Sequence, residues 1–338
     1  MALLNFGWKL LDRFERENAL RDPTSPMTAP PTVRSPFRWR RFLIGGATIW
    51  ALMLVAFVVT GNIALLPAIA LIGAGVVPFA VVLRHGEHLA GTALILDDLL
   101  YAFLYGGAVG ILIGGFMDAE VGRYVSRGTS LLSAGLVEEA AKAIALMVVA
   151  WRLPARSMRA GIYLGAAVGA GFATLETTFY ALDDMLSSAS NKLYTDAGAV
   201  LSHLVVTEVF RAFLAPFLHI TWTAVLGGVI FSAARGTHFR VTPVVASTYL
   251  MVAALHGLWD GGIPDIARAV ARAIDRGFSV DHQHTGAWTA AHANGDGLAV
   301  VSLVAITLVG WALVLLIGLL MLRAVTRRAR RQEITQGI

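Results

Sequence analysis

Eight apolar stretches, near residues 42–60, 63–83, 96–117, 131–151, 160–182, 203–233, 242–263 and 298–322, are each long enough to cross a bilayer, and they occupy most of the 338-residue chain. A single water-soluble core does not accommodate so many runs of this length. Only 14% of the residues are charged, well under the ~25% of ordinary soluble domains. The expected fold class is therefore all-α, a polytopic membrane helix bundle of about eight transmembrane helices. Cysteine is absent, which removes disulfides, thiolate catalysis and Cys-ligated metals from consideration.

The net charge of +5 raises nucleic acid as a partner, but the placement of the cations favours the lipid bilayer and no nucleic acid. With the N-terminus inside, nineteen Lys and Arg fall on inner segments, among them Arg38, Arg40, Arg84, Arg156, Arg159, Arg235 and Arg323–Arg331. Six fall on outer segments: Arg123, Arg127, Lys192, Arg268, Arg272 and Arg276. This bias predicts that both termini are cytoplasmic. The scarcity of Lys beside Arg, Ala and Gly points to a GC-rich bacterial genome, and hence to the inner membrane.

Three parts are expected. Residues 1–41 form a cytoplasmic amphipathic helix and Pro-rich linker, 42–323 the bundle, and 324–338 a basic cytoplasmic tail. No cleavable signal peptide is expected, because the first apolar run starts late and is long. Within the bundle, the extracytoplasmic segment 264–297 sets Ile266, Val270 and Ile274 against Arg268, Arg272 and Arg276, which predicts a helix lying on the outer surface.

The informative residues are those that hydropathy forbids: Glu138, Glu139 and Lys142 in the fourth span, Glu176 in the fifth, Glu208, Arg211 and His219 in the sixth, and His256 and Asp260 in the seventh. Seven ionised groups facing lipid would cost on the order of 20 kcal/mol, so they belong in the bundle interior. Lys142 stands one turn from both Glu138 and Glu139. It can neutralise one acid and leave the other as a base, or the three can form a structural ion pair.

In the fifth span the small residues from Gly165 to Gly171 allow a neighbouring helix to come close to Glu176. That acid can orient an imidazole or hold water, or pack in its protonated form. His219 and Thr223 lie one turn apart in the sixth span, with Pro216 expected to kink the helix beside them. His256 and Asp260 have the same four-residue spacing, so a carboxylate can fix a histidine tautomer. The histidines at span ends and in loops, His85 among them, read as surface residues. Counted from the outer ends, Glu138, Glu176 and His256 share a depth of about 10 Å, whereas His219 counts deeper. A water-holding cavity open to the outer half of the membrane is expected.

The ordered set Glu138-Glu139-x-x-Lys142, Gly171-Phe172-Ala173-x-x-Glu176 with Tyr180, Arg211 with His219-x-x-x-Thr223, and His256-x-x-Trp259-Asp260 resembles the PrsW family of intramembrane proteases, relatives of the CAAX-processing and bacteriocin-processing membrane proteases. The resemblance covers roughly residues 60–263. Thr177 departs from the family's Asn after the motif glutamate, and Asp260 stands where relatives carry Asn.

The resemblance implies a glutamate-dependent enzyme that cleaves a single-span membrane protein near the outer side, as PrsW cleaves a membrane-bound anti-sigma factor. By that analogy Glu138 activates water with help from Glu139 or Glu176, while His219 and His256 with Asp260 orient the carbonyl or hold its oxyanion. Lys142, Arg211 and Thr223 support them. No cofactor is expected, and the missing HExxH spacing favours a metal-free centre over a zinc site. The competing readings are a proton-coupled transporter, which uses the same residue types, and a non-catalytic membrane scaffold.

Overall fold

A computed structural model describes residues 38–124, 127–151, 153, 156–190, 197–236, 238–280 and 293–336. The amphipathic helix and linker expected before residue 38, like the side chains of Glu208 and Pro216, lie outside the described residues. The protein is a bundle of α-helices: α1 (Arg38–Thr60), α2 (Leu66–Gly86), α3 (Leu96–Gly122), α4 (Arg127–Val149), α5 (Met158–Ser190), α6 (Ala197–Ala233), α7 (Pro243–Gly257), α8 (Ile263–Ile274) and α9 (Gly297–Gln336). A π-helical turn interrupts α3 at Ala102–Gly106, and another, Leu258–Gly262, joins α7 to α8 without a loop. Two short strands, β1 (Ser279–Val280) and β2 (Ala293–Asn294), pair antiparallel before α9.

Every span expected from the sequence corresponds to a helix. Among the described residues five helical segments, Arg38–Thr60, Ile63–Gly86, Leu96–Gly122, Met158–Leu182 and Gly297–Ile334, are long and apolar enough to cross a membrane. α4 carries the Glu-Glu-Lys set, α6 contributes the shorter apolar stretch Phe217–Ala233, and α7 is itself short. The chain is thus an integral membrane protein with a helical bundle.

Glycines decide how the central helices meet. α5 and α6 run antiparallel in the most extensive contact of the molecule. Gly161, Gly165 and Gly169, one turn apart on α5, abut Gly227, Thr223 and His219, one turn apart on α6. A Cβ on Gly165 would overlap the Thr223 carbonyl oxygen, and one on Gly169 the His219 carbonyl oxygen. Only small residues allow such an approach. Gly135 of α4 meets Ala253 and Gly257 of α7 in the same way, and Gly171 of α5 meets Phe103 and Gly107 of α3. Around these seams Leu146, Leu164, Leu218, Trp222, Leu226 and Phe231 are fully buried.

One boundary needs correction. α5 and α6 extend to Ser190 and from Ala197, about two turns beyond the predicted outer end of the fifth span. The deeper count for His219 stands: it lies level with Gly169, about two turns below Glu176, and the two side chains meet because each leans toward the N-terminus of its own helix. In α8 the face against α9 is Ala267 and Ala271, while Ile266, Val270 and Ile274 are exposed. The small side chains let α8 lie close on α9, and the branched residues turn outward.

The Arg-rich segments gather at one end of the bundle. Arg84 stands over the Trp39 ring with its Cζ 5.8 Å from the centroid. Arg159 donates to the His88 carbonyl at 3.1 Å and lies 3.4 Å from Glu333. Arg156 donates to the Gly236 carbonyl at 2.9 Å. α9 continues as helix through the expected tail to Gln336.

Candidate active site

The seams described above bring the forbidden residues together. Glu138 and Glu139 follow Gly135 by one turn on α4, and so face His256 on α7 where those two helices touch. Glu176 lies on α5, and Arg211 and His219 on α6, across the glycine-lined seam. Glu139, Lys142, His219 and His256 have no exposed surface, whereas the side chains of Glu138, Asp260 and Arg211 keep 10%, 13% and 21%. The centre is therefore reached past these three. Arg211 precedes His219 on α6, whose far end carries Arg235, so the accessible edge lies away from the Arg-rich end.

Lys142 and Glu139 form the fixed part. Lys142 Nζ donates to Glu139 Oε1 at 2.7 Å and to His219 Nδ1 at 2.8 Å, lies 3.6 Å from Glu138 Oε2, and stands 4.0 Å from the Phe172 ring centroid. Glu139 Oε1 also accepts from His256 Nδ1 at 2.9 Å. An ammonium only donates and a carboxylate only accepts. His256 therefore carries a proton on Nδ1, and its Nε2 faces carboxylates. Neutral His219 accepts at Nδ1 and presents an N–H at Nε2. The two rings are perpendicular, with centroids 4.9 Å apart.

Around the open edge, His256 Nε2 is 3.0 Å from Asp260 Oδ2 and 3.6 Å from Glu138 Oε2. Glu176 Oε2 is 3.0 Å from His219 Nε2 and 3.1 Å from Arg211 Nη2, whose guanidinium lies over Tyr180. Despite these distances, Glu138 Oε2, Glu176 Oε2, His219 Nε2 and His256 Nε2 make no aligned hydrogen bond. Buried polar atoms are rarely left so. Four of them converging from four helices mark a place built to hold something other than the protein itself.

Glu138, Glu139, Lys142, Glu176, Arg211, His219, Thr223, His256 and Asp260 lie at or beside this centre; the side chain of Glu208 falls outside the described residues. Thr223 differs in its partner: its hydroxyl donates to the His219 carbonyl at 2.8 Å rather than to the ring. The sequence reading missed Asp118 of α3, which interacts electrostatically with His256, Asp260 and Glu176. Its signal was a carboxylate one residue past the predicted end of the third span. It also missed Trp222, buried 5.0 Å from the His256 ring, because an indole in an apolar span looks like ordinary core.

Residues 48–280 match the sequence profile of a family described as PrsW family intramembrane metalloprotease. Neither a curated protein nor a solved structure matches the chain. The match spans more than half of the sequence and contains every residue of the buried cluster, so the chain belongs to the PrsW family of intramembrane proteases and is a membrane-embedded peptidase.

Proposed function

We propose that this peptidase hydrolyses a bond in a single-span, membrane-anchored protein such as an anti-sigma factor, with Glu138 activating the attacking water. The observation that carries the reading is the convergence of unsatisfied atoms from Glu138, Glu176, His219 and His256. Among the three glutamates, Glu139 is committed to Lys142 and His256, and Glu176 is held beside Arg211. Glu138 has only longer contacts, 3.6 Å to Lys142 and 3.6 Å to His256, and keeps some exposure, as a general base must. Having taken the water's proton, it can pass that proton to the leaving amine. In a metal-free centre, the His219 Nε2–H and the Arg211 guanidinium would be the donors offered to a carbonyl oxygen that gains charge. Asp260, beside His256, sets the orientation of that ring.

The family description raises a metal, and the donors fit one. Glu138, His219 and His256 each offer one ligand atom, all within 4.8 Å of one another. His256 Nε2 faces two carboxylates, an arrangement that calls for a cation or a proton among them. His219 would join them through Nε2 only with its proton on Nδ1, the atom that accepts from Lys142 here. A divalent ion held there would polarise the scissile carbonyl and acidify bound water. The expectation of a metal-free centre rested on a missing HExxH helix. Donors drawn from α4, α6 and α7 do not require that spacing.

We place the protein in a bacterial inner membrane with cytoplasmic termini, the stretch 1–41 a surface helix and tether, and 324–338 a basic tail. The nineteen-to-six charge bias and the gathering of Arg84, Arg156 and Arg159 at one end support this reading, in which the accessible edge of the site belongs to the outer half. Purified protein reconstituted with candidate single-span proteins is expected to release a discrete fragment, and Glu138→Gln to abolish it while the protein stays folded. Cleavage undiminished in that variant overturns the assignment. Elemental analysis is expected to find about one divalent ion per chain, lost in His256→Ala; full cleavage without bound metal would restore the metal-free centre. A lone cysteine at Gly122 should be labelled from outside, and one at Ser157 only from the cytoplasm.

A further inference from the structure

A second cavity, of about 760 Å³, lies between α2, α5, α6 and α9, inside the ~300–1,000 Å³ range of small-molecule sites. No residue of the hydrolytic cluster lines it. Its stem is apolar, formed by Val77 and Val81 of α2, Ile220 of α6, and Leu319 and Leu322 of α9. Its other end is basic: Arg84, Arg159 and Arg330 line it against one carboxylate, Glu333. Arg159 is braced by the His88 carbonyl and the Tyr163 hydroxyl, which hold its guanidinium at the rim. His85, which looked like a surface residue from its place at a span end, also lines this end, and its Nδ1 is buried without a hydrogen-bond partner.

We propose that this cavity binds an anionic phospholipid, its phosphate at the Arg84–Arg159–Arg330 end and one acyl chain along the stem. Three features select this occupant. Three guanidiniums outnumber two carboxylates, Glu333 on the lining and Glu87 at 3.7 Å from Arg84, and so leave a net positive charge for a phosphodiester. The basic end lies where the apolar helices give way to Arg-rich segments, the level of lipid headgroups, where basic pockets between helices take acidic lipids. The stem begins at that end and runs beside exposed Phe217 and Leu319, so a chain can enter from the side. His85 Nδ1 supplies a further polar contact for the headgroup, and the stem leaves no use for a second charge.

Native mass spectrometry of the full-length protein tests this. Detergent-purified protein is titrated with phosphatidylglycerol, with phosphatidylcholine of the same chains, and with inorganic phosphate. One phosphatidylglycerol is expected to stay bound per chain, with phosphatidylcholine at least tenfold weaker and inorganic phosphate giving no thermal stabilisation. Removing two interfacial guanidiniums in Arg84→Gln/Arg330→Gln should weaken retention roughly 30-fold. Leu319→Trp, which fills the stem and leaves every guanidinium in place, should also displace the lipid, and it carries the test if the double variant does not fold. Equal retention of both lipids means an annular lipid only and overturns the proposal. So does phosphate binding as tight as lipid binding, or retention unchanged in Leu319→Trp.

Discussion

α1 and α5 are both long enough to cross a membrane, yet 6% of the most apolar stretch of α1 is buried against 83% for α5. α1 is the more hydrophobic of the two, with Ile49, Leu52, Val55 and Val59 exposed. α5 is rich in Gly and Ala and carries Glu176. In water the more apolar helix would be the buried one. In a bilayer the lipid accepts an apolar surface at no cost, so the interior is instead marked by small residues and by charges that need partners. Within such a molecule polarity, rather than hydrophobicity, reports what lies inside.

That contrast gives a graded set of tests. Lys142→Met removes the partner of a fully buried acid and is expected to cost about 3–5 kcal/mol, read as a drop in thermal stability in detergent. Adding Glu139→Gln should recover part of it. A stable single variant would mean that this pair is not held as ions. Gly165→Val drives a side chain into the Thr223 carbonyl and should cost about 1–3 kcal/mol while displacing His219, so cleavage falls together with stability. Thr223→Val removes only the bond to the His219 carbonyl, and a loss of about 0.6 kcal/mol is expected. At Gly45 of α1 nothing lies within 4 Å of an added Cβ, and Gly45→Ala should stay within about 0.5 kcal/mol of the parent. A large effect there would show that α1 is covered by protein rather than lipid.

The spans were legible because a bilayer imposes one length on every crossing. The residues of the site were legible for the opposite reason, as violations of that rule: Glu138, Lys142, His219 and Asp260 had no business among lipid tails. Their partners were harder to read. Spacing along α6 paired His219 with Thr223, whereas the ring bonds Lys142, a contact set by the meeting of separate helices. The pairing of Glu139 with His256 depends likewise on Gly135 letting α4 reach α7, and nothing local to either motif encodes it. The ends of α5 and α6 escaped the hydropathy reading because both helices continue beyond the apolar stretch, and Asp118 lay one residue outside a predicted boundary.

Because its functional groups come from four helices, and α7 is a late one in chain order, the chain holds no complete catalytic centre while it is being inserted. Glu138 enters the bilayer more than a hundred residues before His256. If the proposed centre does the cutting, an abandoned or truncated product ending before α7 lacks the imidazole that faces Glu138 and is expected to be harmless to its neighbours. Hydrolysis would then wait for α7, a safeguard for a cell that must make a peptide-cutting machine among its own membrane proteins.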